Sequence, residues 1–427
     1  MKISPARRAA FEILNRIDID RAFSSVLLPH YESTLSPSDR GLCHELVLGV
    51  LRRRIYLDAI IGKLAGQKKL DTVVRNAVRL GAYQITSLNK IPTYSAINES
   101  VNLVQIAKKT SAKGFVNAIL RRISETVPSL EFSDEIERVS IQSSHPKWLV
   151  EKWVSDFGFV EAEKICVANN DVPTISFREV WKRNPALAGY RKGELLGDTY
   201  VATSIDKELR DMSDAGEIYF QDEASQLVAS VAVGSPGGRF LDVCAAPGGK
   251  TAQIAIKYSG IDRAVVIAGD LHESRVRLLR STCERQKVDR VNIVRYDAQV
   301  PLPFASESFD TVLVDAPCSG TGTFRHNPEI RYFLRPDDFG ELAKKQLTIL
   351  RNASYLVRPG GRLIYSTCSI QMEENERVCE NFLEASNAFQ LTRPDVPERI
   401  LTGSGFARTF PHRDGTDGFF LAQFERF

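Results

Sequence analysis

Along the first 125 residues, apolar positions recur every third or fourth residue. In "GLCHELVLGVLRR" that spacing puts Leu42, Leu46 and Val50 on one face, and in "VVRNAVRLGAYQITSL" it aligns Val74, Ala77, Gly81, Ile85 and Leu88. "AINESVNLVQIAKK" and "GFVNAILRRI" repeat the pattern with Ile97, Val101 and Val104, and with Phe115 and Ile119. These stripes predict amphipathic helices packed into an all-α bundle, with short breaks such as "NKIPTYS" between them. The composition shifts at "ETVPSLEFSDEIERVS". Beyond it, "PKWLVEKWVSDFG" reads as helix, "TISFREVW" as strand, "YVATSIDKEL" and "EIYFQDE" as extended, and "ASQLVASVAV" as helix, which makes a small α+β subdomain. From about residue 233, strand-like runs ("RFLDVCAA", "AVVIAGDL", "VNIVRYDA", "FDTVLVDAP", "GRLIYSTCS") alternate with helical stretches. That alternation predicts an α/β domain, a parallel sheet with helices on both faces, and "GFFLAQFERF" is expected as an edge strand. The domains expected are thus 1–128, 129–232 and 233–427.

Composition narrows the class without changing this picture. The 427 residues exceed one ordinary core. No apolar run reaches the roughly 18–20 residues needed to span a bilayer. "MKISPARRAAFEIL" lacks the apolar segment of a signal peptide. The seven cysteines show no CxxC and no zinc spacing, so a metal site is not expected and a reducing cytoplasm is. Net charge is only +3, yet the first 125 residues carry twice as many basic as acidic residues. Such asymmetry suits a polyanion partner, or else a solvated basic face.

The unusual residues of the third domain fall at strand ends, where open α/β sheets bind ligands. The first strand runs into "CAAPGGKT", whose Gly248-Gly249-Lys250-Thr251 lets backbone approach a ligand and offers free N–H groups at a helix start. Cys244 stands where a Walker A loop needs glycine, which disfavours a phosphate ligand. The second strand ends at Asp270, about twenty residues beyond the turn, a spacing that suits a ribose diol. The third ends at Asp297, placed to accept from an adenine amino group. The fourth ends in Asp315-Ala316-Pro317-Cys318-Ser319-Gly320-Thr321-Gly322, and the fifth at Cys368. Singly, each is more often a cap or a solvated residue; together they mark a site.

The pattern resembles methyltransferases that use S-adenosylmethionine. "DVCAAPGGKT", "DAPCSGTG" and "YSTCS", with "RHNPEIRY" and "DGTDGFFLAQF", resemble the RNA cytosine-5 methyltransferases across residues 140–427. The N-terminal phrases "HELVLGVLRR", "GAYQI" and "KGFVNAILRRI" resemble the antitermination-factor-like RNA-binding domain of one branch, the ribosomal small-subunit methyltransferase B type. The resemblance implies a Rossmann-like catalytic domain and an S-adenosylmethionine site formed by Cys244, Ala245, Ala246, Pro247, Gly248, Gly249, Lys250, Asp270, Arg275, Asp297 and Asp315. It implies as substrate the small-subunit ribosomal RNA, naked or in an early assembly intermediate, bound by a monomer.

Carbon 5 of cytosine is a poor nucleophile, and a thiolate adding to carbon 6 corrects this. On chemistry alone, Cys318 and Cys368 both qualify. The resemblance implies that Cys368 attacks, Cys318 assists release, and Asp315 bonds the base near N3. Lys250 is the expected source of the positive charge that favours a thiolate. Cys43, Cys166, Cys244, Cys283 and Cys379 read as structural. Arg275 is open between holding the motif loops, contacting RNA and a surface ion pair. Arg325, His326 and Arg331 are candidates for phosphate contact, with a solvated charged loop as the alternative. Two other functions remain: a transfer RNA methyltransferase, and an RNA-binding assembly factor with an inert catalytic domain.

Overall fold

The computed structural model describes residues 3–66, 69–181, 184–233 and 238–427. Two compact units emerge. One comprises residues 1–172 together with 324–334, and the other residues 173–323 together with 335–427.

The first unit is helical. Its helices include Pro5–Asp20, Pro37–Arg52, Arg54–Ala65, Thr72–Ser87, Thr93–Ile106 and Lys113–Glu125, followed by Glu135–Gln142, Lys147–Phe157 and Phe159–Ala168. Thr72–Ser87 shows why they form. Asp71 caps it by accepting from the Val73 and Val74 N–H groups, and its apolar stripe buries Val74, Ala77, Val78 and Leu80. Gly81 permits a close helix crossing, because a Cβ there would lie 2.4 Å from a Leu120 methyl. The buried Arg79 guanidinium sits between Asp18, at 2.9 Å, and Asp58, whose Oδ1 accepts from Nε at 2.7 Å.

Residues 324–334 belong to this unit although they follow "DAPCSGTG" in sequence. Arg331 is fully buried and donates to Asn170 Oδ1 (2.9 Å) and to the carbonyls of Asn169 (3.2 Å), Ser143 and Ser144 (both 3.4 Å). Its guanidinium also lies 5.1 Å from the Phe324 ring centre. Glu329 accepts from the Ser24 N–H at 2.7 Å and from its hydroxyl at 3.0 Å. The expectation that Arg325 and Arg331 reach phosphates, or form a solvated loop, is therefore corrected. Both are buried, and of the three candidates only His326 is exposed.

The second unit carries two sheets. The smaller consists of β1 (Ile175–Glu179), β2 (Arg191–Lys192), β3 (Thr199–Ala202) and β4 (Ile218–Phe220), antiparallel in the order β2-β3-β1-β4. "YVATSIDKEL" is extended only as far as Ala202. Asp206 then caps the helix Lys207–Asp214 by accepting from the Leu209 N–H.

The larger sheet comprises β5 (Arg239–Asp242), β6 (Val265–Asp270), β7 (Val291–Arg295), β8 (Phe309–Asp315), β9 (Val357–Thr367), β10 (Phe389–Thr392), β11 (Ala407–Arg408) and β12 (Phe420–Arg426). Its order is β10-β12-β9-β8-β5-β6-β7, with β11 paired to β12. The strands from β9 to β7 are parallel. β12 is not an edge strand: it runs antiparallel between β9 and β10. Alternate side chains serve two cores. Phe240, Leu313, Ile364 and Leu421 pack on one face, and Leu241, Val312, Val314, Leu363 and Phe420 on the other. Strands buried on both faces read as unbroken apolar runs, which is how they stand in the sequence. The chain reverses its winding at β5, between β8 and β6, where such sheets open a ligand crevice. Among the described residues, no helix is long and apolar enough to cross a membrane.

Candidate active site

The turn after β5 leads into the helix Gly249–Lys257. Gly248 has φ +106°, a left-handed conformation that only glycine takes at low cost. The turn is tied to β6: the Ala245 N–H donates to the Gly269 carbonyl (2.8 Å) and the Ala246 N–H to Asp270 Oδ2 (3.2 Å). Arg275 completes the tie, its Nε reaching both Asp270 oxygens (3.0 and 3.1 Å) and its Nη2 the Ala246 carbonyl (2.9 Å). Of its three readings, this geometry is the one that holds the motif loops. From the smaller sheet, the buried Arg178 donates to the Gly249 carbonyl at 3.1 Å, a support that the sequence analysis did not find.

A cavity of about 510 Å³ opens above these strand ends, within the roughly 300–1,000 Å³ usual for small-molecule sites. Cys244, Ala246, Pro247, Lys250, Asp270, Arg275, Asp297 and Asp315 line it, with Cys318, Cys368 and Phe419. Ala245, Gly248 and Gly249 belong to the same turn but not to the cavity wall. Asp297 lies two residues past the end of β7, and its Oδ1 accepts from the Gln299 N–H at 2.8 Å. Acids on successive strand ends beside a close backbone turn fit a nucleoside with a charged amino-acid tail.

Asp242 sits beneath the turn, fully buried. Its Oδ2 accepts from the Thr251 hydroxyl at 2.6 Å, while its Oδ1 has no partner. Burial, only partly opposed by the Thr251 bond, pushes its carboxyl from 3.8 up to about 7. The folded value lies above the unfolded one, so between about pH 4 and pH 7 the folded state keeps a proton that the unfolded chain releases. Stability therefore falls as pH rises through that window. Asp242→Asn is expected to remove this fall, worth a few kcal/mol at about 1.4 kcal/mol per unit, when urea unfolding at pH 4.5 and pH 8 is compared with wild type.

β8 and β9 end side by side and bring the two conspicuous cysteines together, with Cys318 Sγ and Cys368 Sγ 3.2 Å apart. Asp315 stands next to them. Its Oδ1 accepts from the Ser366 hydroxyl (2.7 Å) and its Oδ2 from Lys250 Nζ (2.8 Å). Burial alone would lower the Lys250 pKa, but the charge and hydrogen bond of Asp315, then the charge of Cys368, raise it. The ammonium expected near Cys368 is thus present and held charged. The hydrogen bond to Cys368, then burial and the charges of Cys368 and Glu374, hold the Cys318 thiol well above its ordinary range. The two sulfurs share one hydrogen bond. Elsewhere, burial pushes Cys43 and Cys166 up to about 12 and Cys283 to about 11, as expected of inert structural thiols.

Two backbone hydrogen bonds pin the loop after Cys318 at Gly322. The Gly322 N–H donates to the Cys368 carbonyl, and the Gly418 N–H to the Gly322 carbonyl, both at 2.9 Å. A Cβ on Gly322 would lie 1.9 Å from the Gly418 carbonyl oxygen. Gly322→Ala must therefore displace the thiol loop. Ångström-scale misplacement of reacting groups costs about a hundredfold in rate, so turnover by this variant should fall by that factor while ligand affinity at the cavity, read by calorimetry, stays near wild type.

Glu374 and Asn375 escaped the sequence analysis; with Ser319, Thr321, Ser366 and Ser369 they form a buried polar layer beside the thiols. The signal available was "EEN" at residues 373–375, an acid–amide pair shortly after Cys368.

The family described as 16S rRNA methyltransferase RsmB/F matches residues 233–425, and the NusB family matches residues 4–125. A protein of Bacillus subtilis designated a probable ribosomal RNA small subunit methyltransferase B is 35% identical, with all of both chains covered. The chain belongs to the ribosomal RNA small subunit methyltransferase B family. A relative of the same designation from Synechocystis is 33% identical over 99% of both chains. The crystal structure of PH0851 superposes over the full length of both chains, with a TM-score of 0.85 and 25% identity. NSun6 from Pyrococcus horikoshii, solved with SFG, covers 66% of this chain and 98% of its own at a TM-score of 0.53 and 21% identity, which speaks to fold alone. As a member of this family the protein is an S-adenosylmethionine-dependent RNA methyltransferase, with a NusB-like helical domain ahead of a mixed α/β catalytic domain.

Proposed function

We propose that the protein methylates carbon 5 of a specific cytosine in small-subunit ribosomal RNA through a covalent adduct between Cys368 and the base. The observation that carries this reading is the pair of thiols 3.2 Å apart, on the rim of the same cavity as the Lys250–Asp315 ion pair. Asp270, Asp297 and the 244–250 turn would hold S-adenosylmethionine, which would supply an electrophilic methyl group and leave as the neutral thioether. Cys368 adds to carbon 6, and Asp315, oriented by Lys250 and Ser366, accepts from the cytosine amino group beside N3. Carbon 5 then carries enamine character and takes the methyl group. Loss of its proton restores the ring and expels Cys368. The carbon 5 proton passes to a base in the site, and Cys318, whose Sγ lies 3.2 Å from that of Cys368, assists the release. The base must be single-stranded or flipped out to reach the thiols.

The work divides over residues 1–128, 129–232 and 233–427. The basic helical part and the smaller sheet grip phosphates, and the last part performs the chemistry. The protein acts as a cytoplasmic monomer on naked RNA or an early assembly intermediate. The test is methyl transfer from labelled S-adenosylmethionine to unmodified small-subunit ribosomal RNA, with transfer RNA in parallel and nucleosides analysed after digestion. Label in 5-methylcytosine of the ribosomal RNA alone is expected. Label in transfer RNA changes the substrate, and label in neither favours an RNA-binding assembly factor.

A further inference from the structure

We propose that Glu374 is the positioning residue that divides the labour between the two thiols, locking both cysteine loops to one carboxylate and keeping Cys318 as the proton-bearing member of the pair. The inference rests on the covalent reading above.

The cysteines lie on loops from different strands, and the last ladder bond between those strands, Ala316 N–H to the Ser366 carbonyl, falls before either thiol. Beyond it, the fully buried Glu374 joins the loops. One of its oxygens accepts from the Ser319 and Ser369 hydroxyls, the latter at 2.6 Å. The other accepts from the Ser319 N–H (2.8 Å) and Gln346 Nε2 (2.9 Å). Ser319 and Ser369 directly follow Cys318 and Cys368, so one side chain fixes the same position in each loop. Gln346 also donates to the Pro317 carbonyl at 3.0 Å, which brackets Cys318 from its other side. The neighbouring Asn375 brackets Cys368: its Oδ1 accepts from the Thr367 hydroxyl (2.6 Å) and its Nδ2 donates to the Ser369 carbonyl (2.8 Å).

Burial raises the Glu374 carboxyl above its ordinary value, and the four donors around it oppose that rise and favour the ionised form. A buried anion beside Cys318 disfavours a second negative charge there and adds to what already holds its proton. The Lys250 charge acts on Cys368, and Glu374 makes two bonds to Ser319, beside Cys318, against one to Ser369, beside Cys368.

The test is Glu374→Gln, which keeps size but removes charge and turns an amide toward donors, and Glu374→Asp, which keeps charge. Iodoacetamide labelling of each cysteine, followed by peptide mass spectrometry between pH 6 and pH 9, reports the thiolate of each separately. In wild type Cys368 should label first and Cys318 far more slowly. In Glu374→Gln the labelling rate of Cys318 should rise at least about tenfold, one pKa unit, and the profile should move back toward wild type in Glu374→Asp. kcat should fall about a hundredfold, as expected of misplaced groups, with KM for RNA nearly unchanged and a protein–RNA adduct accumulating. An unchanged Cys318 profile in folded Glu374→Gln protein overturns the proposal. If that variant does not fold, Ser319→Ala serves: a faster Cys318 profile supports the proposal and an unchanged one overturns it. Cys368→Ser in the otherwise native protein separates the two claims, since retained activity there sinks the covalent reading whatever Glu374 does.

Discussion

With Cys368 replaced by serine, methyl transfer to RNA should fall by at least about four orders of magnitude, as nucleophile removal does in other covalent enzymes. Cys318→Ser should instead leave an RNA adduct visible on a denaturing gel. The two outcomes differ because the two sulfurs do not share an environment. Lys250 couples electrostatically to Cys368, while the Cys318 proton is held by the bond to Cys368 and the nearby Glu374 charge. Serine at 368 presents a hydroxyl that does not ionise near neutral pH. Serine at 318 leaves the attack intact and removes the thiol that assists release, so the adduct persists. The reverse pattern, with Cys318→Ser dead without an adduct and Cys368→Ser active, assigns the attack to Cys318. The Lys250–Asp315 pair would then serve the other thiol.

Arg331→Met should destabilise the helical unit by about 3 kcal/mol or more, since each buried acceptor left unpaired costs about 1–3 kcal/mol. Methionine approximates the side chain's length but donates nothing. It takes the arginine donor from Asn170 Oδ1 and from the buried Asn169 carbonyl, while the Ser143 and Ser144 carbonyls keep Asn170 Nδ2 and the Tyr332 hydroxyl. Urea unfolding followed by circular dichroism measures the loss. A phosphate-contacting arginine would behave differently: stability would hold, and the salt dependence of RNA binding would weaken by about one unit of slope. Unchanged stability with a shallower salt slope would therefore return Arg331 to the RNA surface.

These two cases show how far the sequence reaches. Strand–helix alternation, the glycine turn, the acids at strand ends and both cysteines were legible because each is local: a periodicity, or a residue type with few structural uses at that spot. Arg331 was misread because "RHNPEIRY" is polar, and polar runs are usually solvated. Its burial depends on carbonyls contributed by residues some 160–190 positions earlier. The position of β12 was missed for a related reason. An amphipathic terminal strand looks like an edge until β10, only four residues long, pairs outside it. Glu374 and Asn375 were overlooked because an acid–amide pair before a helix reads as a cap, and only the fold brings Ser319 beneath it.

The membership of residues 324–334 in the helical unit has a consequence for biosynthesis. That unit is discontinuous: its first 172 residues leave the ribosome long before its last eleven. At roughly 5–20 residues per second, the pocket awaiting Arg331 stays unfilled for about ten to thirty seconds while the intervening chain is made. Ser24 waits about twice as long for Glu329, 305 residues further on. The N-terminal helices therefore cannot settle into their final form as they emerge. They do so only after the thiol loop of the catalytic unit has been synthesised, which makes completion of the RNA-binding half a late event in the life of the nascent chain.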